Sequence, residues 1–157
     1  MNERKVTKVR VAPESIRISK VGVYRRVSYN RIEQLRSMAF QASHLTRTAL
    51  KAGGWILVDI YLDFHSGLDD TRPELQRLID DCISVLVDTI LTKSVSRFGR
   101  DTAATISLIR ELHSIGVRVI FENEELDTSN CEIEFFITLL EAYAQEESFN
   151  RFIWVRP

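Results

Sequence analysis

Short β-branched runs alternate with longer helical periods along most of this 157-residue chain, and that alternation leaves few folds open. Val21 to Val27, Trp55 to Leu62, Asp88 to Thr92 and Val117 to Phe121 read as strands. Between them, apolar residues recur at intervals of three and four. Ile32, Leu35, Met38, Ala39, Ala42 and Leu45 form one helical stripe, entered through the capping pair Asn30 and Glu33 and stopped by Gly53-Gly54. Leu75, Leu78, Ile79 and Cys82 form a second, from about 73 to 84, with Pro73 in its first turn. A third, Thr102 to Ile115, has Asp101 as its cap and Gly116 as its stop. Strand-helix steps of this kind join parallel strands, so the expected class is α/β: about four strands, mainly parallel, flanked by helices.

Composition agrees with one globular domain. Hydrophobic residues make up 45% and charged residues 27%, too apolar for general disorder. No apolar run approaches the roughly 18 residues that a membrane span needs, and residues 1–20 lack a signal-peptide core, so no membrane partner and a cytoplasmic location are expected. Cys82 and Cys131 stand far apart, without Cys-x-x-Cys or Cys/His spacing. They read as plain thiols, with neither a metal site nor a disulfide.

Net charge is −1, but it is sorted along the chain. Residues 1–30 carry eight basic side chains against two acidic ones, whereas residues 119–150 carry nine acidic side chains and no Lys or Arg. The basic end suits a polyanion and the acidic end does not. The last helical period, about Ile133 to Phe152, is wide. Ile133, Phe136, Ile137, Leu140, Tyr143 and Ala144 share a stripe that Phe135 and Leu139 broaden, which fits either a core helix or one shared between subunits. On the second reading, a charge placed at Tyr143 or Phe136 weakens self-association more than folding. Residues 1–19, with Pro13 and no strong period, read as an amino-terminal arm.

Open α/β sheets collect ligands beyond the carboxyl ends of their strands, so the residues there matter most. After the first strand stand Arg26 and Ser28; after the second, Asp63, His65, Ser66 and Gly67; after the third, Lys93, Ser94, Ser96, Arg97 and Arg100; after the fourth, Glu122 and Glu124. Arg97 and Arg100 are three apart, so one helical turn aims both at one point, and Arg72 before Pro73 lies where it can join them. Planar guanidinium forks grip phosphate. A serine hydroxyl beside several arginines suits attack on a phosphodiester, the arginines neutralising the oxygens as charge builds. Asp63 fits either proton transfer or the orienting of an arginine. His44, His65 and His113 have no nucleophile or metal partner at suggestive spacing, and no Gly-x-Gly-x-x-Gly or Gly-Lys-Ser/Thr motif marks a nucleotide cofactor.

These residues resemble a known family. Tyr24-Arg25-Arg26-Val27-Ser28, Arg72-Pro73, Thr92-Lys93-Ser94-Val95-Ser96-Arg97-Phe98-Gly99-Arg100-Asp101-Thr102, Gly116-Val117, Phe121-Glu122, Asp127-Thr128 and Ala144-Gln145-Glu146-Glu147-Ser148 are similar to the catalytic domain of serine recombinases, the resolvase/invertase family, and most similar to its large integrase and transposon branch. The resemblance runs over residues 20–148. It implies that Ser28 is the nucleophile of a 5′-phosphoserine bond to DNA, with Arg26, Arg72, Arg97 and Arg100 around the phosphate. Gln41, Asp63, Ser66, Ser96 and Glu147 fall at supporting or substrate-binding positions. It further implies DNA as substrate, a homodimer formed on the last helix, a synaptic tetramer, and no metal, nucleotide or other cofactor. Arg25 and Phe64 replace smaller or polar family residues and read as crowding the site. Residues 149–157 leave the family pattern as a divergent tail, so the family's DNA-binding domain is expected to be missing and the chain's own grip on DNA to be weak. The alternative expectation is a catalytically silent remnant that acts as a dimerisation module.

Overall fold

The computed structural model describes residues 17–28, 54–65, 71–99 and 101–154, with side chains for all of these except residues 28, 65 and 147–154. The helix expected between Asn30 and Gly53 lies outside the described residues, as do nearly all of the amino-terminal arm and the end of the tail.

The central strand is β1, Ser19–Ser28. It pairs in parallel with β2, Trp55–His65, on one side and with β3, Thr89–Thr92, on the other. Strand β4, Arg118–Phe121, continues the parallel sheet beyond β3. A fifth strand that periodicity missed, β5 at Leu126–Asp127, closes the edge in antiparallel pairing, giving the order β2-β1-β3-β4-β5. Two residues carry no readable period, and only the turn before them reveals this strand. Glu125 there adopts a left-handed φ of 54°, which folds the chain back on β4.

Four helices complete the described fold. Helix α1, Pro73–Ile83, and helix α3, Thr102–Ser114, lie within a residue or two of the bounds their periods predict. The Asp101 carboxylate accepts from the Ala104 amide at 2.8 Å, as a helix cap does. Between β3 and α3 lies a four-residue helix, α2, at Val95–Phe98. Helix α4 spans Ile133–Trp154.

One side of the sheet carries the main core. Tyr24 and Tyr61 from the strands meet Leu75, Leu78 and Cys82 of α1, Ile109 and Leu112 of α3, and Phe136 and Leu140 of α4. Cys82 is buried there, and burial pushes its thiol up to about 12. Gly22 is what lets α1 approach β1 so closely. A Cβ at that position meets Leu78 Cδ1 at 2.8 Å and Tyr61 Cε2 at 3.0 Å. Val21, Val23 and Leu91 form a second cluster on the other side of the sheet, packed by Trp55, Leu57, Ile60 and Ile120. Among the described residues no helix is long and apolar enough to cross a membrane.

Helix α4 corrects one sequence expectation. Phe136 is 0% exposed and stacks on Phe121, so it belongs to the core rather than to a shared surface. The outward stripe is Phe135, Leu139 and Tyr143, four residues apart on successive turns and exposed in this chain.

Helix α1 ends on a strained turn. Val85, 66% exposed, adopts φ 60°, a region in which a β-branched side chain crowds its own backbone. Lys20 Nζ donates to its carbonyl at 2.9 Å and holds the turn against β1. Val85→Gly removes strain of about 1–2 kcal/mol and adds about 0.5–1 kcal/mol of unfolded-chain entropy. The expected outcome is a melting temperature higher by about 2 °C, measured by calorimetry; an unchanged or lower midpoint shows that the turn is relaxed.

Candidate functional site

The strand order reverses between β1 and β3: the chain leaves β1 toward β2 on one side and returns to β3 on the other. In a parallel sheet this opens a crevice at the carboxyl ends of those two strands. Ser28 is the last residue of β1, in register with His65, and Arg26 stands in register with Asp63. Thr92 ends β3 opposite Tyr24.

Asp63 organises the floor of this crevice. It is 3% exposed, and its carboxylate accepts from the Tyr24 hydroxyl at 3.0 Å, the Glu74 amide at 2.9 Å and the Leu75 amide at 3.0 Å. The two amides open α1, so a side chain from β2 caps a helix whose own N-cap residue, Arg72, makes no side-chain cap bond. Burial first, and Asp63 next, push the Tyr24 phenol well above its ordinary value, while Arg72 and Arg26 pull it the other way. By strand alternation Arg26 lies on the same face of β1 as Tyr24.

Arg72 is half-buried and only partly satisfied. Its Nη1 donates to the Phe98 carbonyl at 2.7 Å, whereas its buried Nε and Nη2 have no partner among the described residues. These two nitrogens form one edge of the guanidinium, the fork that meets two oxygens of a phosphate or carboxylate. Thr92 Oγ1, buried at the end of β3, also lacks a partner among the described residues. Buried donors left open in this way mark a place where an anion or water belongs.

Helix α2 joins the group through Phe98. The Phe98 ring is fully buried edge-on between Tyr24 and Phe121, with centroids 6.0 and 5.6 Å away. This anchors the helix and leaves Ser96 and Arg97 exposed beside the crevice. Ser96 Oγ lies 3.3 Å from Ser94 Oγ. Gly99 is buried where a Cβ meets Thr105 Oγ1 at 1.5 Å, so the chain turns into α3 with no room for a side chain. Gln41, Ser66 and Arg100 lie outside the described residues. Ser28 and Glu147 are placed in β1 and α4 without a description of their side chains.

Arg25 and Phe64 do not crowd this site. Side chains alternate along a strand, so both lie on the sheet face opposite Tyr24 and Asp63. There Arg25, 8% exposed, pairs with Glu122 at 3.4 Å. Sequence reading missed Tyr24 as the partner of Asp63 and gave Glu124 no role, although Glu124 Oε1 accepts from the Val95 amide at 3.2 Å. A long-range bond of this kind leaves no period to read. Among the described residues no group of three or more His, Cys, Asp or Glu side chains could hold a metal ion.

The fold is a mainly parallel α/β sheet with a crevice at its switch point, and sequence comparison names the family. The family model for the resolvase N-terminal domain matches residues 21–151, and the chain belongs to that family as a serine recombinase catalytic domain. Transposon Tn3 resolvase of Escherichia coli is 34% identical over 114 residues, covering 71% of this chain and 59% of the resolvase. A resolvase/recombinase of Pseudomonas putida is 38% identical over 102 residues, covering 63% of this chain and 54% of that protein. The chain thus spans little more than half the length of these relatives. Among solved structures, the N-terminal catalytic domain of TP901-1 integrase is 33% identical with a TM-score of 0.62, covering 85% of this chain and 98% of that one. A resolvase family site-specific recombinase from Streptococcus pneumoniae is 27% identical with a TM-score of 0.65, covering 87% of this chain and 92% of that one.

The buried phenols make the fold sensitive to alkali. Burial raises both Tyr24 and Tyr61, and their carboxylate partners Asp63 and Asp81 add to it. A raised folded value means that this stability is fully present below the ordinary phenol value of 10.0 and is lost as the pH climbs above it, because the unfolded chain ionises first. Denaturant titrations from pH 8 to 11 should show the loss, and Tyr24→Phe should make it shallower. The same slope in both proteins would show that Tyr24 ionises freely.

Proposed function

We propose that this chain is the DNA-cleaving domain of a site-specific recombinase. Ser28 Oγ attacks a backbone phosphorus, the 3′ oxygen departs and takes up a proton as a 3′ hydroxyl, and the 5′ phosphate stays on the serine as an ester. Attack by a 3′ hydroxyl on that ester reverses the step and rejoins a strand. The phosphodiester's energy is kept in the serine ester, so no nucleotide is consumed. Arg26, Arg72, Arg97 and Arg100 bind the non-bridging oxygens as charge builds in the five-coordinate transition state. Ser66, Ser96, Gln41 and Glu147 support the substrate, and Asp63 acts through Arg72 and Tyr24.

The observation that carries this reading is the Nε and Nη2 edge of Arg72, open among the described residues, on the face of the sheet where Arg26 stands near the carboxyl end of β1. Family membership and the likeness to an integrase catalytic domain support it. The working form is a homodimer, and a tetramer when two DNA sites are brought together. Dimerisation is assigned to the Phe135, Leu139 and Tyr143 stripe of α4, which is apolar and exposed in the single chain. The domain comprises residues 20–148.

The first test fuses the chain to a DNA-binding module and offers nicked sites at matched spacing. A covalent protein-DNA adduct seen by intact mass, and absent from Ser28→Ala, is the expected result. An equal adduct from Ser28→Ala overturns the mechanism; a folded protein that gives none in either form favours the silent remnant. A second test concerns α4. Tyr143→Glu should weaken self-association about tenfold or more in sedimentation, a loss of about 1.4 kcal/mol, with an unchanged melting temperature. An unaltered sedimentation profile removes the stripe from the interface.

A further inference from the structure

The acidic turn after β4 has no place in the chemistry above, yet it makes a specific contact with the segment that carries Ser96 and Arg97. Helix α2 is only four residues long and cannot hold its own shape, since one helical turn forms few internal bonds. Its N-cap residue, Ser94, supplies no side-chain cap bond. At the far end, the Phe98 carbonyl is held by Arg72 and the Phe98 ring is wedged between Tyr24 and Phe121. At the near end, the Val95 amide donates to Glu124 Oε1 across 29 positions of sequence.

The turn that carries Glu124 is itself built to stay in place. Beyond the end of β4, the Glu122 amide still donates to the Thr92 carbonyl at 3.0 Å and the Asn123 amide to the Lys93 carbonyl at 2.8 Å. Glu125 then reverses the chain at φ 54°, a conformation that costs a non-glycine residue about 1 kcal/mol or more. After the reversal Arg118 Nε donates to Asp127 Oδ1 at 3.0 Å and locks β5 to β4. Burial raises the Asp127 carboxyl, but Arg118 and the Ser129 donors outweigh it and hold the group below its ordinary value. Glu124 thus projects from a braced turn onto the first amide of α2.

We propose that Glu124 is a positioning residue for recombination, fixing α2 so that Arg97 and Ser96 face the phosphate gripped by Arg72. This rests on the recombinase reading above. Among the described residues three braces define the position of the helix: Glu124 at its first amide, and the Phe98 ring and Arg72 both at its last residue. Only the Glu124 brace is provided by a side chain with no place in the core and no part in binding phosphate. Removing it frees the first turn of α2 while the Phe98 anchor stays in place.

The test compares Glu124→Ala with Glu124→Gln, which keeps an oxygen at the same reach and so can still accept from the Val95 amide. Hydrogen exchange on the full chain, read by NMR, should show the Val95 amide exchanging about tenfold faster in Glu124→Ala and near the wild-type rate in Glu124→Gln. In the adduct assay, Glu124→Ala should form the phosphoserine link at least about tenfold more slowly, with DNA affinity and melting temperature unchanged, and Glu124→Gln should recover most of the rate. Wild-type exchange in Glu124→Ala, or an undiminished rate of adduct formation, overturns the proposal. A loss of rate in Glu124→Gln equal to that in Glu124→Ala also overturns it, because the charge and not the bond to Val95 then matters. Absence of an adduct from every protein, wild type included, counts against the recombinase reading, and the exchange rates still decide whether Glu124 holds α2.

Discussion

The buried Asp63 carboxylate is the interaction on which the rest of the site depends. A charged group taken out of water is costly unless donors replace the lost hydration, and here a phenol and two backbone amides replace it. The three donors come from two elements: Tyr24 from the central strand, and the Glu74 and Leu75 amides from the opening turn of α1. The carboxylate therefore fixes the angle at which α1 leaves the sheet. Arg72 sits at that opening turn, so the same bonds decide where its guanidinium lies.

From Arg72 the constraint passes to α2. The guanidinium holds the Phe98 carbonyl, and the Phe98 ring extends a series of aromatic contacts from Tyr24 through Phe121 to Phe136 on α4. Edge-on and stacked rings at these separations prefer particular geometries, so the series resists sliding better than aliphatic packing does. One continuous run of contacts thus links β1, α2, β4 and α4. The short helix gains from these neighbours a definition that four residues cannot generate alone.

Much of this was legible in the sequence because it is periodic or punctuated. The four parallel strands, α1 and α3 announced themselves through apolar spacing, Pro73, Asp101 and Gly116. The crevice could be located because ligands collect at the carboxyl ends of parallel strands, and the arginines stand there in the chain. What could not be read depends on contacts across long separations. β5 is two residues long and exists because a left-handed Glu125 folds it back. Tyr24 looked like one more strand residue until Asp63 met its hydroxyl. Arg25 and Phe64 appeared to crowd the site only because neighbours in sequence were taken as neighbours in space, whereas a strand sends adjacent side chains to opposite faces. Phe136 and Tyr143 appeared to share one stripe, but the helix turns Phe136 onto Phe121 and Tyr143 outward, a separation that the wide apolar pattern blurred.

Two arginines show how the fold assigns its charges. Arg25 and Arg72 are both drawn out of water near the carboxyl ends of the strands, and burial lowers the Arg25 pKa against the pull of Glu122. On its face of the sheet the charge is met by a carboxylate. Among the described residues Arg72 has no such carboxylate bond: its hydrogen bond goes to a neutral carbonyl, and its two remaining buried nitrogens have no partner there. A guanidinium in that state carries an unpaid desolvation cost that an arriving anion relieves. The cost is sustained because Asp63 and Phe98 hold the surrounding backbone whether or not an anion is present. The two faces of the sheet therefore differ: the Tyr24 face presents a guanidinium edge open among the described residues, and on the opposite face the more deeply buried arginine is paired with Glu122.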